Sequence, residues 1–194
     1  MYLKDFKNIL NDETISCEQF LRIHCCVEEL FRRLLLIGLR LQGVQYKESE
    51  LISENYYNRD QNEKLKLALK YCNINYQDLL KYNNFNELQM LYLKFTCRHR
   101  NKLMHGVALT YNDNDLLKLL ITVDRSFILE IESFFEHIKK PSIFAKPSKW
   151  GAKKGIKKDA SKIYKELLGK NMPLPHEYTK NKVNLIMKKL KILK

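Results

Sequence analysis

Proline is missing from the first 140 residues: Pro141, Pro147, Pro173 and Pro175 all come later. Proline breaks helix interiors, so its absence leaves that stretch free to form long helices and sets it apart from a differently built tail. Glycine is sparse there too, at Gly38, Gly43 and Gly106 only. No segment alternates apolar and polar residues for long enough to predict a sheet. Long apolar runs are also lacking. The longest, Leu34–Leu39, is fenced by Arg32, Arg33 and Arg40, far short of the roughly 20 residues of a spanning helix. The first residues, Met1-Tyr2-Leu3-Lys4-Asp5, mix charges early and have no apolar signal-peptide core. The expectation is a soluble, cytoplasmic protein with no membrane partner. Five cysteines (Cys17, Cys25, Cys26, Cys72, Cys97) make an odd count without a Cys-x-x-Cys pair. That argues against a disulfide framework or a zinc site and for small buried thiols, with no metal or cofactor expected.

What is present is apolar bulk and unevenly placed charge. Hydrophobic residues make up 45% of the 194 and aromatic ones 11%, enough for one core plus an appendage. The net charge of +13 is concentrated at one end. Residues 1–138 carry 18 Lys+Arg against 19 Asp+Glu, whereas residues 139–194 carry 17 Lys against Asp159, Glu166 and Glu177. Lysine without arginine suits phosphates as point charges but reads bases poorly, so the tail should hold a polyanion with little sequence preference.

Apolar spacing of three to four residues predicts the helices. Ser16, with Gln19 three residues on, reads as an N-cap for a helix to about Gly43. Its stripe is Phe20, Ile23, Val27, Leu30, Phe31, Leu34, Ile37 and Leu41. Shorter helices are expected near 61–72 and 76–82. Another runs from about Asn86 into Arg100–His105, where Gly106 is placed to end it. A further long one runs from Asn112–Asn114 to Lys139–Lys140, with Leu116, Leu117, Leu120, Val123, Phe127, Ile131, Phe134 and Phe135 inward. The fold predicted is all-α: an antiparallel helical bundle over 1–140 and a lysine-rich, partly helical extension over 141–194, with helices near 159–168 and 180–192.

Chemistry concentrates in Arg98-His99-Arg100-Asn101-Lys102-Leu103-Met104-His105. RNA can be cut by its own 2′-hydroxyl if a protein adds a proton acceptor near pH 7 and a fixed cation on the phosphate. Histidine suits the first task and the arginine fork the second. Asn101 could bond a phosphate oxygen or orient the imidazole, while Arg98 and Lys102 could hold substrate. On an ideal helix, positions 100 and 105 lie about 140° apart. The pair therefore requires a helix loosened before Gly106, a long arginine that wraps round, or a second protomer.

Arg100-Asn101-x-x-x-His105 followed by Gly106 resembles the R-x(4–6)-H motif of the HEPN superfamily, in the form with a polar residue after the arginine. The resemblance covers about residues 15–140. It implies metal-independent RNA cleavage leaving 2′,3′-cyclic phosphate and 5′-hydroxyl ends, with Arg100 and His105 catalytic and Asn101 supportive. It also implies a homodimer in which two motifs face one cleft. Many relatives are toxins or anti-phage effectors, so an antitoxin or defence partner is a further expectation. Val107 departs from the tyrosine of HEPN toxins paired with minimal nucleotidyltransferase antitoxins.

Plainer roles compete at each position. His105 can cap its helix end, favoured by the dipole, and Arg98 and His99 can form a solvated face. His24 suits a core or interface. Glu28-Glu29 and Arg32-Arg33 can support their own helix, or an acid there could orient His105. Trp150, Lys153 and Lys154 either anchor the tail or bind substrate, the indole stacking on a base. The competing function is a non-catalytic helical module that binds nucleic acid or a partner.

Overall fold

A computed structural model describes residues 3–56, 60–105, 114–152 and 159–169. Every regular element among them is helical. In order they are α1 (Leu3–Asn11), α2 (Cys17–Leu41), α3 (Tyr46–Asn55), α4 (Gln61–Tyr71), α5 (Tyr76–Leu80), α6 (Phe85–Leu91), α7 (Cys97–Met104), α8 (Asn114–His137) and α9 (Ala160–Leu168). A π-helical turn, Tyr92–Thr96, joins α6 to α7. No described helix is long and apolar enough to cross a membrane.

Ser16 caps α2 as its position predicts, its side chain accepting the Gln19 N–H at 3.0 Å. The expected stripe is buried from Phe20 to Ile37, and Phe20, Ile23, Val27, Leu34 and Ile37 are fully so. It meets the predicted stripe of α8, of which Leu120, Phe127, Ile131 and Phe135 are wholly enclosed. Phe127 is the aromatic centre, stacked on Tyr92 at 4.5 Å and on Phe85 at 5.2 Å, with the Phe31 edge at 6.1 Å. Such offset and edge contacts add to what area burial alone supplies.

Two helices escape the periodicity argument. In α1, Phe6, Ile9 and Leu10 are buried, but they sit among charged residues in a helix of 9 residues. In α3, Ile52 is the lone fully buried apolar side chain, beside Ser49 and Ser53, too few for a stripe. The helix expected from Asn86 onward is also not uniform. At Tyr92 the ladder slips to π geometry, the Cys97 N–H bonding the Tyr92 carbonyl while Thr96 Oγ1 donates to it at 2.9 Å. A π-turn inserts a residue, so every side chain of α7 is turned relative to a straight α-helix.

Helix sense is mixed rather than uniformly antiparallel. Along α2 and α8, His24 meets Asp124 and Phe31 meets Phe127, so the two rise together. The α5–α6 segment runs against α8, with Tyr82 on Phe134 and Phe85 on Phe127.

The connector after α8 belongs to the body. Arg33 donates to the carbonyls of Ile143, Phe144 and Ala145, and Glu132 accepts the Ile143 N–H. Trp150 is 9% exposed, its ring 5.3 Å from Phe135 and its indole N–H on the Ser142 carbonyl. The first compact unit accordingly runs Met1–Ala160, past the boundary expected at 140, and the second is Ser161–Lys194. The helix expected near 159–168 is α9; the one near 180–192 lies outside the described residues.

Helices α2 and α4 approach closely at Gly38, where a Cβ would lie 2.5 Å from Tyr71 Cβ and 2.8 Å from the Tyr71 carbonyl carbon. Alanine there gains about 1 kcal/mol of helix propensity but forces α2 and α4 apart, at a cost of about 1–3 kcal/mol. Gly38→Ala should therefore lower the urea midpoint. A midpoint equal to or above wild type would refute the close-packing account.

Candidate active site

The Arg98–His105 segment occupies all of α7 and its C-cap. No residue of α7 is buried, though Arg100 and Lys102 are only partly exposed. His105 leaves helical geometry at φ −91°, ψ 13°, while its N–H still bonds the Asn101 carbonyl at 3.0 Å. The helix is regular through Met104, and the departure falls at His105 itself. The His105 ring is exposed and makes no hydrogen bond among the described residues. Arg100 and His105 are not bonded to each other, so one chain carries them on successive turns without joining them. Gly106 and Val107 lie outside the described residues, as do Lys153 and Lys154.

Arg100 is fixed more firmly than its exposed helix suggests. Its Nη2 donates to Glu28 Oε1 at 3.2 Å and Oε2 at 3.4 Å, and its Nη1 to Asn101 Oδ1 at 3.1 Å. The Glu28 side chain is only 4% exposed and that of Arg100 26%. Gln61 of α4 donates its amide to Glu28 Oε1 at 3.0 Å. Nearby, Lys64 is 7% exposed; burial pushes its pKa down, partly offset by the Glu28 charge. Three helices thus meet around one carboxylate.

The other sequence candidates separate. Arg98 is exposed and Lys102 half-buried on the same helix. His99 turns onto its own helix, with Nδ1 2.8 Å from the Phe95 carbonyl and its ring against Phe95. Trp150 has its ring taken by Phe135 and its N–H by Ser142; the packing matches the anchoring role and leaves no open face for a base. Glu29 supports its own helix as expected, bound to Arg32 by two 2.6 Å bonds. Glu28 does not: its partner is Arg100 rather than Arg32 or His105. Glu28, Gln61 and Lys64 were absent from the sequence-level site. The available signal was that Glu28 falls on the buried stripe of α2, one helical turn after His24, where a carboxylate must find a partner.

His24 sits beneath α7. Its Nδ1 is 2.7 Å from Asp124 Oδ2, within the range of a charge-assisted bond, and its ring stacks on Tyr92 at 5.4 Å. Burial opposes the charged imidazole, but the Asp124 hydrogen bond and the adjacent Cys97 thiol outweigh it and raise the His24 pKa to about 9. Burial also raises the Asp124 carboxyl, against the pull of His24 and Thr96. The 2.7 Å contact favours the doubly charged pair.

The five cysteines are free, and not all are buried as expected. Cys26 and Cys72 are enclosed and pushed up to about 12 by burial, whereas Cys25 is exposed. Among the described residues no three His, Cys, Asp or Glu side chains converge as a metal site would require.

Because the folded pKa of His24 lies above its unfolded value of 6.5, its contribution is complete below that pH and is lost as pH rises through about 9. Urea midpoints should fall across this window in the wild type. His24→Gln should be less stable throughout and show a flatter profile. Parallel profiles in the two proteins would disprove the link.

Comparison with protein-family models, with curated proteins and with solved structures finds no match for this chain.

Proposed function

We propose that the chain is a metal-independent endoribonuclease of the HEPN type. Arg100 clamps the scissile phosphate, and His105 takes the proton of the 2′-hydroxyl as it attacks the adjacent phosphorus. The P–O5′ bond breaks and the departing 5′ oxygen takes up a proton from water, leaving a 2′,3′-cyclic phosphate and a 5′-hydroxyl. Asn101 steadies the Arg100 fork. Arg98, Lys102 and the lysines after residue 138, Lys153 and Lys154 among them, hold the RNA backbone. The observation that carries this reading is an anchored guanidinium in α7 together with a solvent-facing imidazole at the C-cap of the same helix. A guanidinium aimed in advance suits phosphate stabilisation, and an exposed histidine is free to exchange protons.

The two side chains are not joined within one chain, so the reading includes a homodimer in which a second α7 faces the first. A toxin or anti-phage effector, with an antitoxin or defence partner holding it in check, is the physiological setting that the HEPN resemblance suggests.

A non-catalytic RNA-binding module is the second reading, favoured by the excess of 17 Lys over 3 acids in residues 139–194. Purified protein incubated with labelled RNA separates the two. The enzyme should cut in the presence of chelator, and His105→Ala should lose activity by about 100-fold or more while its far-UV circular dichroism is unchanged. Full cleavage by His105→Ala refutes the catalytic assignment. Intact RNA with salt-dependent binding, unaffected by His105→Ala, establishes the binding module.

A further inference from the structure

Resting on Arg100 as the phosphate-binding cation, we propose that Glu28, steadied by Gln61, is the positioning residue that aims the Arg100 guanidinium. The argument starts from donors. A guanidinium has five N–H groups in a rigid fork. In Arg100, Nη2 faces both Glu28 oxygens and Nη1 reaches Asn101. Its Nε–H makes no bond among the described residues, so part of the fork remains for a phosphate. The anchor itself is built in. Glu28 projects from α2 into the interior, where the amide of Gln61 on α4 fixes Oε1. An arginine on an exposed helix would otherwise sample many rotamers; one held at Nη2 keeps its orientation before substrate arrives.

Charge balance allows this arrangement to attract phosphate rather than repel it. The single carboxylate of Glu28 faces two cations, Lys64 and Arg100, with Asp60 a weaker acid acting on Lys64. Glu28 therefore orients the fork without cancelling the local field. A masking role, in which Glu28 competes with phosphate for Arg100, predicts the opposite sign in the experiment below.

The test is a double-mutant cycle on binding of a 2′-O-methyl RNA oligonucleotide, which has no free 2′-hydroxyl and cannot be cut. Wild type, Glu28→Gln, Arg100→Ala and the double variant are compared by fluorescence anisotropy over a salt series. Each single variant should bind about tenfold more weakly. Each should also lower the slope of log affinity against log salt by about 0.7, one phosphate contact. The double variant should be no weaker than Arg100→Ala alone. Removing a carboxylate near a polyanion should by charge alone tighten binding, so weakening by Glu28→Gln is not a bulk electrostatic effect. Equal or tighter binding by Glu28→Gln overturns the proposal, as does a loss that adds in full to that of Arg100→Ala.

If Glu28→Gln does not fold, Gln61→Met takes its place, removing the anchor while leaving Glu28 its cations. A smaller loss in the same direction is then expected, and unchanged binding overturns the proposal. Cleavage of ordinary RNA separates this outcome from that of the enzyme reading. A wild type that shows the cycle but cuts nothing leaves the Glu28 role standing and removes the catalytic one. A wild type that cuts, with Glu28→Gln unchanged in kcat and KM, does the reverse. No binding by the wild type overturns both.

Discussion

Helix α2 is enclosed by its neighbours along most of its 25 residues, and that enclosure governs the rest of the body. A helix buried on so many sides cannot leave an inward polar group to water, so each one must be met by a partner from another element. Gln19 reaches back to the Ile9 and Asp12 carbonyls and fixes α1. His24 requires Asp124 and thereby sets α8. Glu28 takes Gln61 from α4 and Arg100 from α7, and Arg33 gathers three carbonyls of the connector after α8. Apolar contacts supply most of the driving force, but they are non-directional. The polar residues of α2 decide which part of each neighbour lies where.

The candidate site inherits its geometry from that arrangement. The π-turn at Tyr92–Thr96 is positioned between Tyr92, stacked on Phe127 and His24, and Cys97, which lies beside His24. It turns α7 so that Arg100 meets Glu28 while His105 stays in solvent. A buried and charged layer therefore underlies an exposed one that carries His105. This separation suits a site in which one group must be rigid and another must exchange protons. The positive charge lies elsewhere, in the 17 lysines after residue 138, so on the proposed reading chemistry and grip would be divided between segments of opposite character.

The amino-acid sequence by itself determined the helical class and most of the long elements. The stripes of α2 and α8, the Ser16 cap and the absence of proline before residue 141 are local or periodic signals, and such signals survive without knowledge of neighbours. It also determined that the reactive residue types cluster at Arg98–His105. The tertiary structure decided what periodicity could not express. It made α3 helical despite its weak stripe, because Ile52 found a surface to bury against. It gave Glu28 to Arg100 rather than to Arg32, because the register between α2, α4 and α7 is set by packing among residues far apart in the chain. It also enclosed Trp150 against Phe135 of α8, a contact between two elements that helical periodicity does not reach. Helical phase follows from residue order, whereas the pairing of buried charges follows from which helices the hydrophobic core brings side by side.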